Sequence, residues 1–243
     1  MIVPSALRGF IIVKDFPLSI AKEMPSPLQN SRFQLSDHRE AKDLATLLSR
    51  VKTIDSSAAV RLQARGRVLA VWAPVMSAET LLDTVPTVLG MRALHLAEDS
   101  EIDATVEASA VLDRLARIDA NDGALPVPPV MVNAAWAGVM PPSRGWTESG
   151  RLDAETVARI AHEGMRAVEE ALPTNPGGAV LNTVRSRVWG SDSGEGVVSG
   201  ALFGATVLGF NDTDEGFTVY SNGPWRRLSN TQGHVVSKSA SAV

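Results

Sequence analysis

An α+β fold is what the sequence predicts, and three observations carry the prediction. Asp37 and Glu40 open an apolar stripe of helical spacing, Ala41, Leu44, Ala45, Leu48 and Val51. A strand-like stretch with a two-residue period, Val60-Arg61-Leu62-Gln63-Ala64, follows it. The last ninety or so residues then read as three helices followed by a β-meander. A chain of 243 residues, 44% hydrophobic and 21% charged, has the balance of an ordinary globular protein and the length for one large domain or two small ones.

Taken in order, Asp37 is placed to accept the orphan amides of a first helical turn, with Glu40 reaching back as the other half of a capping box. Arg65-Gly66 supplies a turn after the alternating stretch, and Val68-Leu69-Ala70-Val71-Trp72 is apolar throughout. The spacing predicts a hairpin whose second strand is buried on both faces. A short helix after Ser77 ends near Pro86, and Met91 to Leu96 forms a third strand. A longer helix carries Ala104, Ala108, Val111, Leu112, Leu115 and Ile118 inward and stops before Gly123.

Charge and turn chemistry divide the chain. Residues 1–98 hold 12 basic and 9 acidic side chains, residues 99–150 hold 3 and 8, and residues 151–243 hold 8 and 10. The acidic middle runs into Pro126-Val127-Pro128-Pro129 and Pro141-Pro142-Ser143-Arg144-Gly145. The expected organisation is an α+β region over 1–125, a Pro/Gly-rich connection over 126–150, and a helical region ending in a meander over 151–243.

In that last region Asp153 caps a helix whose stripe is Val157, Ile160, Ala161, Gly164, Val168 and Ala171, and Pro173 stops it. Asn175-Pro176 has the form of a cap followed by proline at the first helical position of a second helix, which ends at Gly190. Val197 to Phe210 is the third, with Gly200, Gly204, Ala201 and Ala205 making it smooth. Its small residues either let a helix of the same chain come close or leave a face for a homodimer. Phe217 to Ser221, the turn pair Asn222-Gly223, Trp225 to Leu228 and His234 to Lys238 make the meander.

The chemistry is defined mostly by exclusion. With no cysteine, disulfides, thiolate metal sites, iron–sulfur clusters and a cysteine nucleophile are excluded, and a cytoplasmic location is expected. The first ten residues have no secretory pattern, and the most apolar stretch falls short of the ~20 residues of a membrane span. A net charge of -4 argues against a surface built throughout for nucleic acid. The four histidines stand too far apart in sequence for a paired-histidine zinc motif, so neither a metal nor another cofactor is expected. Gly190-Ser191-Asp192-Ser193-Gly194 has aspartate where a nucleophile elbow needs serine. Gly194-x-Gly196-x-x-x-Gly200 approximates a dinucleotide fingerprint but follows a helical segment instead of a strand.

One basic-aromatic group remains: Arg185, Arg187 and Trp189 on the second helix of the region, with Trp225, Arg226, Arg227 and His234 in the meander. Guanidinium groups stack on aromatic rings and grip carboxylates or phosphates, so these seven are the candidate ligand- or partner-binding residues. The competing account puts the tryptophans in the core with arginines over its edge.

Gly145-Trp146, Val188-Trp189-Gly190 and Gly223-Pro224-Trp225-x-Arg227-Leu228 resemble a family of uncharacterised proteins from high-GC Gram-positive bacteria, over residues 140–238. The resemblance implies no named activity and transfers no functional residue. The expected function is that of a non-catalytic binding or regulatory protein acting through a partner or small ligand. The alternatives are a DNA-binding winged-helix module in residues 151–243 and a metal-independent hydrolase or transferase. Against DNA, the would-be recognition helix offers no Lys, Arg, Asn or Gln for base reading before its end.

Overall fold

In the computed structural model, residues 31–78, 85–118, 123–175, 177–193 and 196–239 are described. A short strand, β1 (Arg32–Gln34), leads into helix α1 (His38–Ile54). The Asp37 carboxylate accepts from the Arg39 and Glu40 amides at 2.7 and 3.0 Å, as a cap should. Glu40 does not close the box; its carboxylate lies 2.9 Å from Nδ1 of His95. The stripe of α1 buries Ala41, Leu44, Leu47, Leu48 and Val51. Each fully buried aliphatic side chain contributes about 1.5–3 kcal/mol, which fixes this helix on the sheet more firmly than propensity alone.

The predicted first hairpin is corrected. Residues 59–76 form one continuous strand, β2 (Ala59–Met76), paired antiparallel with the still longer β3 (Thr87–Glu107). Arg65-Gly66 is an irregularity inside β2, where the register slips between Gly66 and Val68 and Gly66 takes φ +59°. Glycine there can serve a turn or a bulge, and the 21 residues of β3 decide for the bulge by offering partners on both sides of it. Side-chain parity flips across it: Val60, Leu62 and Ala64 face the core before, Leu69, Val71 and Ala73 after. The predicted burial of the second half on both faces therefore holds for one face only; Val68 is 46% exposed.

The predicted third strand lies within β3, but Ala104 also lies in β3 and not on a helix. Ile102, Ala104 and Val106 bury one face at a period of two against Val60–Ala64, and strand pairing wins over helix propensity. Helix α2 begins later (Ala108–Leu115) and is followed by β4 (Ala124–Pro126), which pairs with β1 as a two-stranded ribbon. The short helix expected after Ser77 falls largely on residues 79–84, outside those described.

After a long connection come β5 (Thr147–Leu152), α3 (Ala154–Ala171), α4 (Gly178–Trp189) and α5 (Ser199–Val207). Asp153 caps α3 through the Thr156 amide at 2.7 Å. The start of α4 is corrected: Gly177, not Asn175, is its cap, and Pro176 lies outside the described residues. Asn175 instead takes φ +56°, a left-handed conformation that ends the previous segment. α5 is shorter than its apolar run, because Leu208 and the left-handed Gly209 close it.

The chain ends in β6 (Phe217–Asn222), β7 (Trp225–Ser229) and β8 (His234–Lys238). The β6–β7 turn is Gly223-Pro224, one residue beyond the predicted pair, since Asn222 still pairs with Trp225. The fold is α+β, and its two β-rich regions join in one antiparallel sheet of order β2-β3-β8-β7-β6-β5. The join is β3 with β8, from Thr87 opposite Lys238 to Met91 opposite His234.

One hydrophobic core, under the helices, draws on both halves of the chain, including Leu48, Val71, Val88, Ala201, Phe217 and Val235. The smooth helices are engaged there. A Cβ on Gly164 would come within 2.2 Å of the Trp189 ring, and one on Gly204 within 3.2–3.4 Å of Val88, Val235 and Val75. Trp189 stacks on Phe203 with centroids 4.4 Å apart. Arg50 of α1 closes the edge, donating to the Leu208 carbonyl at 3.0 Å and to Asp212 at 2.7 Å.

Candidate functional site

The helix-free face of the sheet is built differently. Leu89, Trp225 and Val236 make a small second cluster there with Trp136, which comes from the connection between β4 and β5. That connection runs over the sheet as a strap, and each of its ties has a local cause. The Val132 amide donates to the Thr105 carbonyl at 2.9 Å, and Asn222 donates to the Arg144 carbonyl at 2.7 Å. Trp146 folds its indole N–H back onto the Pro142 carbonyl at 2.9 Å. Arg61 of β2 is held bidentate by Asp103 of β3, both contacts at 2.7 Å, and donates through Nη1 to the Ala137 carbonyl at 2.8 Å. The Asp103 carboxyl is lowered below its usual range by that guanidinium.

Between strap and sheet lies a cavity of about 400 Å³, at the small end of the ~300–1,000 Å³ typical of ligand pockets. Trp72, Met91 and Val236 form its floor, and Met140, Pro142 and Trp146 its strap-side wall. Arg61, Gln63, Ser143, Arg227 and His234 supply its polar groups. The guanidinium of Arg227 lies 4.7 Å from the centre of the Trp146 ring and 4.4 Å from that of Tyr220, its cross-strand neighbour. Among the described residues no carboxylate stands within ion-pair distance of it, and its Nε is buried with no hydrogen-bond partner. Burial pushes the Arg227 pKa down. Trp72 Nε1 is likewise buried and unpartnered. His234 sets Nδ1 2.8 Å from Ser229 Oγ, and its pKa is pushed down by burial and by the nearby Arg227 charge, so the ring is neutral at pH 7.

The seven residues singled out from sequence are separated. Arg227 and His234 line the cavity, and Trp225 lies in the cluster beside it. Arg226, the next residue on the same strand, points to the opposite face, where its side chain approaches Gly196. Trp189 is in the main core. Arg185 lines a different, larger cavity of about 510 Å³ near the end of α1, and Arg187 is exposed. Arg61, Trp72 and Trp146 escaped the sequence reading. Arg61 had a signal, since it sits opposite Val60 and Leu62 on an alternating strand; Trp72 and Trp146 reach the cavity through pairings remote in sequence.

Several other motifs resolve as local structure. Nδ1 of His162 lies 2.7 Å from the Ala158 carbonyl on the surface of α3. Ser191, just after α4, lies 2.9 Å from Ser199 at the start of α5; of the glycine cluster, Gly196 precedes α5, Gly200 lies in it, and Gly194 is outside the described residues. Among the described residues no three metal-ligating side chains converge, and no helix is long and apolar enough to cross a membrane.

The fold and the site together define a class: an α+β protein with one sheet face sealed by helices and the other strapped over an aromatic, cationic cavity. Two family models match the chain. A domain of unknown function (DUF8010) matches residues 28–138, and a second domain of unknown function (DUF8185) matches residues 141–242. The chain is thus similar to uncharacterised families along nearly its whole described length, and no curated protein matches it. The seam between the two matches falls within the strap. The cavity straddles it: Arg61, Gln63, Trp72 and Met91 come from the first match, and Pro142, Trp146, Arg227 and His234 from the second.

Proposed function

We propose that this chain is a non-catalytic binding protein that holds a small, mainly apolar molecule between the strap and the open face of its sheet. The observation that carries the reading is the pair of buried, unpartnered donors, Trp72 Nε1 and Arg227 Nε, on residues lining one aromatic cavity. Buried polar groups normally find partners, and leaving one without costs about 1–3 kcal/mol. A bound molecule offering an acceptor would relieve that cost. The absence of cysteine is what supports reading the setting as cytoplasmic.

The other readings draw less support. For a winged-helix module, α5 would have to enter a DNA groove, yet Gly200, Ala201, Leu202, Gly204 and Ala205 are buried. For a hydrolase, Ser229 and His234 stand within hydrogen-bond distance, but among the described residues no carboxylate is bonded to the imidazole to orient it as a base. A homodimer would need a face other than the smooth sides of α3 and α5, which are occupied within the chain.

The test is to purify the protein from its own cytoplasm, unfold it, and identify released small molecules by mass spectrometry. The wild type should release a compound in near-stoichiometric amount, and Trp146→Ala should release much less of it. Equal release from both proteins, or none from either, would remove the reading.

A further inference from the structure

The charge inventory of the cavity says more about its occupant. Two guanidinium groups line it, and they are not equivalent. Arg61 is charge-paired with the Asp103 carboxylate and also donates to the Ala137 carbonyl. Arg227 has aromatic neighbours and, among the described residues, no carboxylate within ion-pair distance. Among the described residues no Asp or Glu lines the cavity, and the His234 ring adds no positive charge at pH 7. The cavity therefore holds one uncompensated cation within largely apolar walls, in a chain whose net charge is negative. Part-buried charges are stabilised chiefly by pairing, and the one partner this site lacks is an anion.

The type of anion follows from the donors present. A phosphate dianion gathers several donors, commonly from lysines, a glycine-rich loop or a helix N-terminus. Among the described residues the lining contains no lysine, no glycine and no residue of a helix, only side chains of strands and strap. One planar guanidinium suits one planar carboxylate, to which it can present two parallel N–H donors. Trp72 and Trp146, with Met91, Met140 and Pro142, favour a flat apolar body that stacks on aromatic faces. Resting on the binding reading above, we propose that the ligand is an aromatic monocarboxylate, its carboxylate on Arg227 and its ring system between the strap and Trp72.

Three probes separate the parts of this inference: 2-naphthoate, the neutral 2-naphthalenemethanol, and 2-naphthyl phosphate, each titrated calorimetrically into the apo protein. A charge-assisted hydrogen bond predicts that the acid binds about 10- to 100-fold more tightly than the alcohol. Arg227→Met should abolish that preference while leaving alcohol binding in place. Arg226→Met, one residue away on the opposite face, should keep it. Should Arg227→Met fail to fold, Arg227→Lys replaces it and should reduce the preference, because an ammonium lacks the planar fork. Acid and alcohol binding equally to the wild type would overturn the carboxylate assignment but leave a binding cavity. Tighter binding of the phosphate than of the carboxylate would overturn the assignment in favour of a phosphoryl ligand. Failure of all three to bind up to their solubility limits would overturn this inference and count against the cavity reading as well.

Discussion

The two faces of the six-stranded sheet obey different rules. On the helix side, contacts are close and apolar: Gly164 meets the ring of Trp189, Gly204 sits among three valines, and Phe210 and Phe217 are all but fully buried. On the strap side, a Pro-rich segment crosses the sheet through a few hydrogen bonds and leaves Arg227 Nε and Trp72 Nε1 unpartnered. The first face secures the fold through burial and packing. The second retains polar groups that destabilise the empty protein, the usual mark of a surface kept for a ligand.

The strongest way to sharpen the contrast is to damage the sealed face. Trp189→Ala removes a buried ring that touches α3 and α5 together, and it should cost about 3–5 kcal/mol in a denaturant titration. A loss below about 1 kcal/mol would mean that the helices are not locked as described.

A smaller effect, on the same face, is expected for Gly204→Leu. The added Cβ alone would lie 3.2–3.4 Å from Val88, Val235 and Val75, and the rest of the side chain would have to displace them, costing about 1–3 kcal/mol even after the gain in helix propensity. Unchanged melting behaviour would sink the close-packing argument.

The smallest effect belongs to the open face and depends on pH. In the folded chain the His234 pKa is depressed, with the Arg227 guanidinium facing it and Ser229 on its Nδ1. Between that depressed value and the unfolded value of about 6.5, the unfolded chain binds more protons. Stability is thus present above pH ~6.5 and is lost as pH falls through the window, by at most about 1.4 kcal/mol per pH unit for one group. Urea midpoints measured from pH 7.5 to 5 should fall less steeply for His234→Gln than for the wild type. Parallel profiles would mean that His234 does not set the slope.

How legible each face was depends on the range of its contacts. α1 and α3 could be read because cap and stripe are local, and Asp37 and Asp153 sit where the spacing put them. The meander could be read from short alternating runs and the pair Asn222-Gly223, one residue short of the observed turn. The β2–β3 ribbon could not, since a glycine at positive φ serves a bulge as readily as a turn, and only the partner strand decides. The site was half legible. Arg227 and His234 stood out as basic residues near tryptophan, but period-two alternation already separates Arg226 from Arg227. Their companions Trp72 and Trp146 arrive through the β3–β8 pairing and the strap, neither of which has a local signature.

Backbone amide exchange, followed with and without 2-naphthoate, tests the division between the faces most directly. The account predicts slow exchange in α5, where the Leu208 and Phe210 amides are bonded at its C-terminal end, that the ligand leaves unchanged. It predicts faster exchange at the strap amides of Val132 and Val139 in the empty protein, slowed when the ligand binds. Strap amides as protected as α5 from the start, or protection gained in α5 and not in the strap, would contradict it.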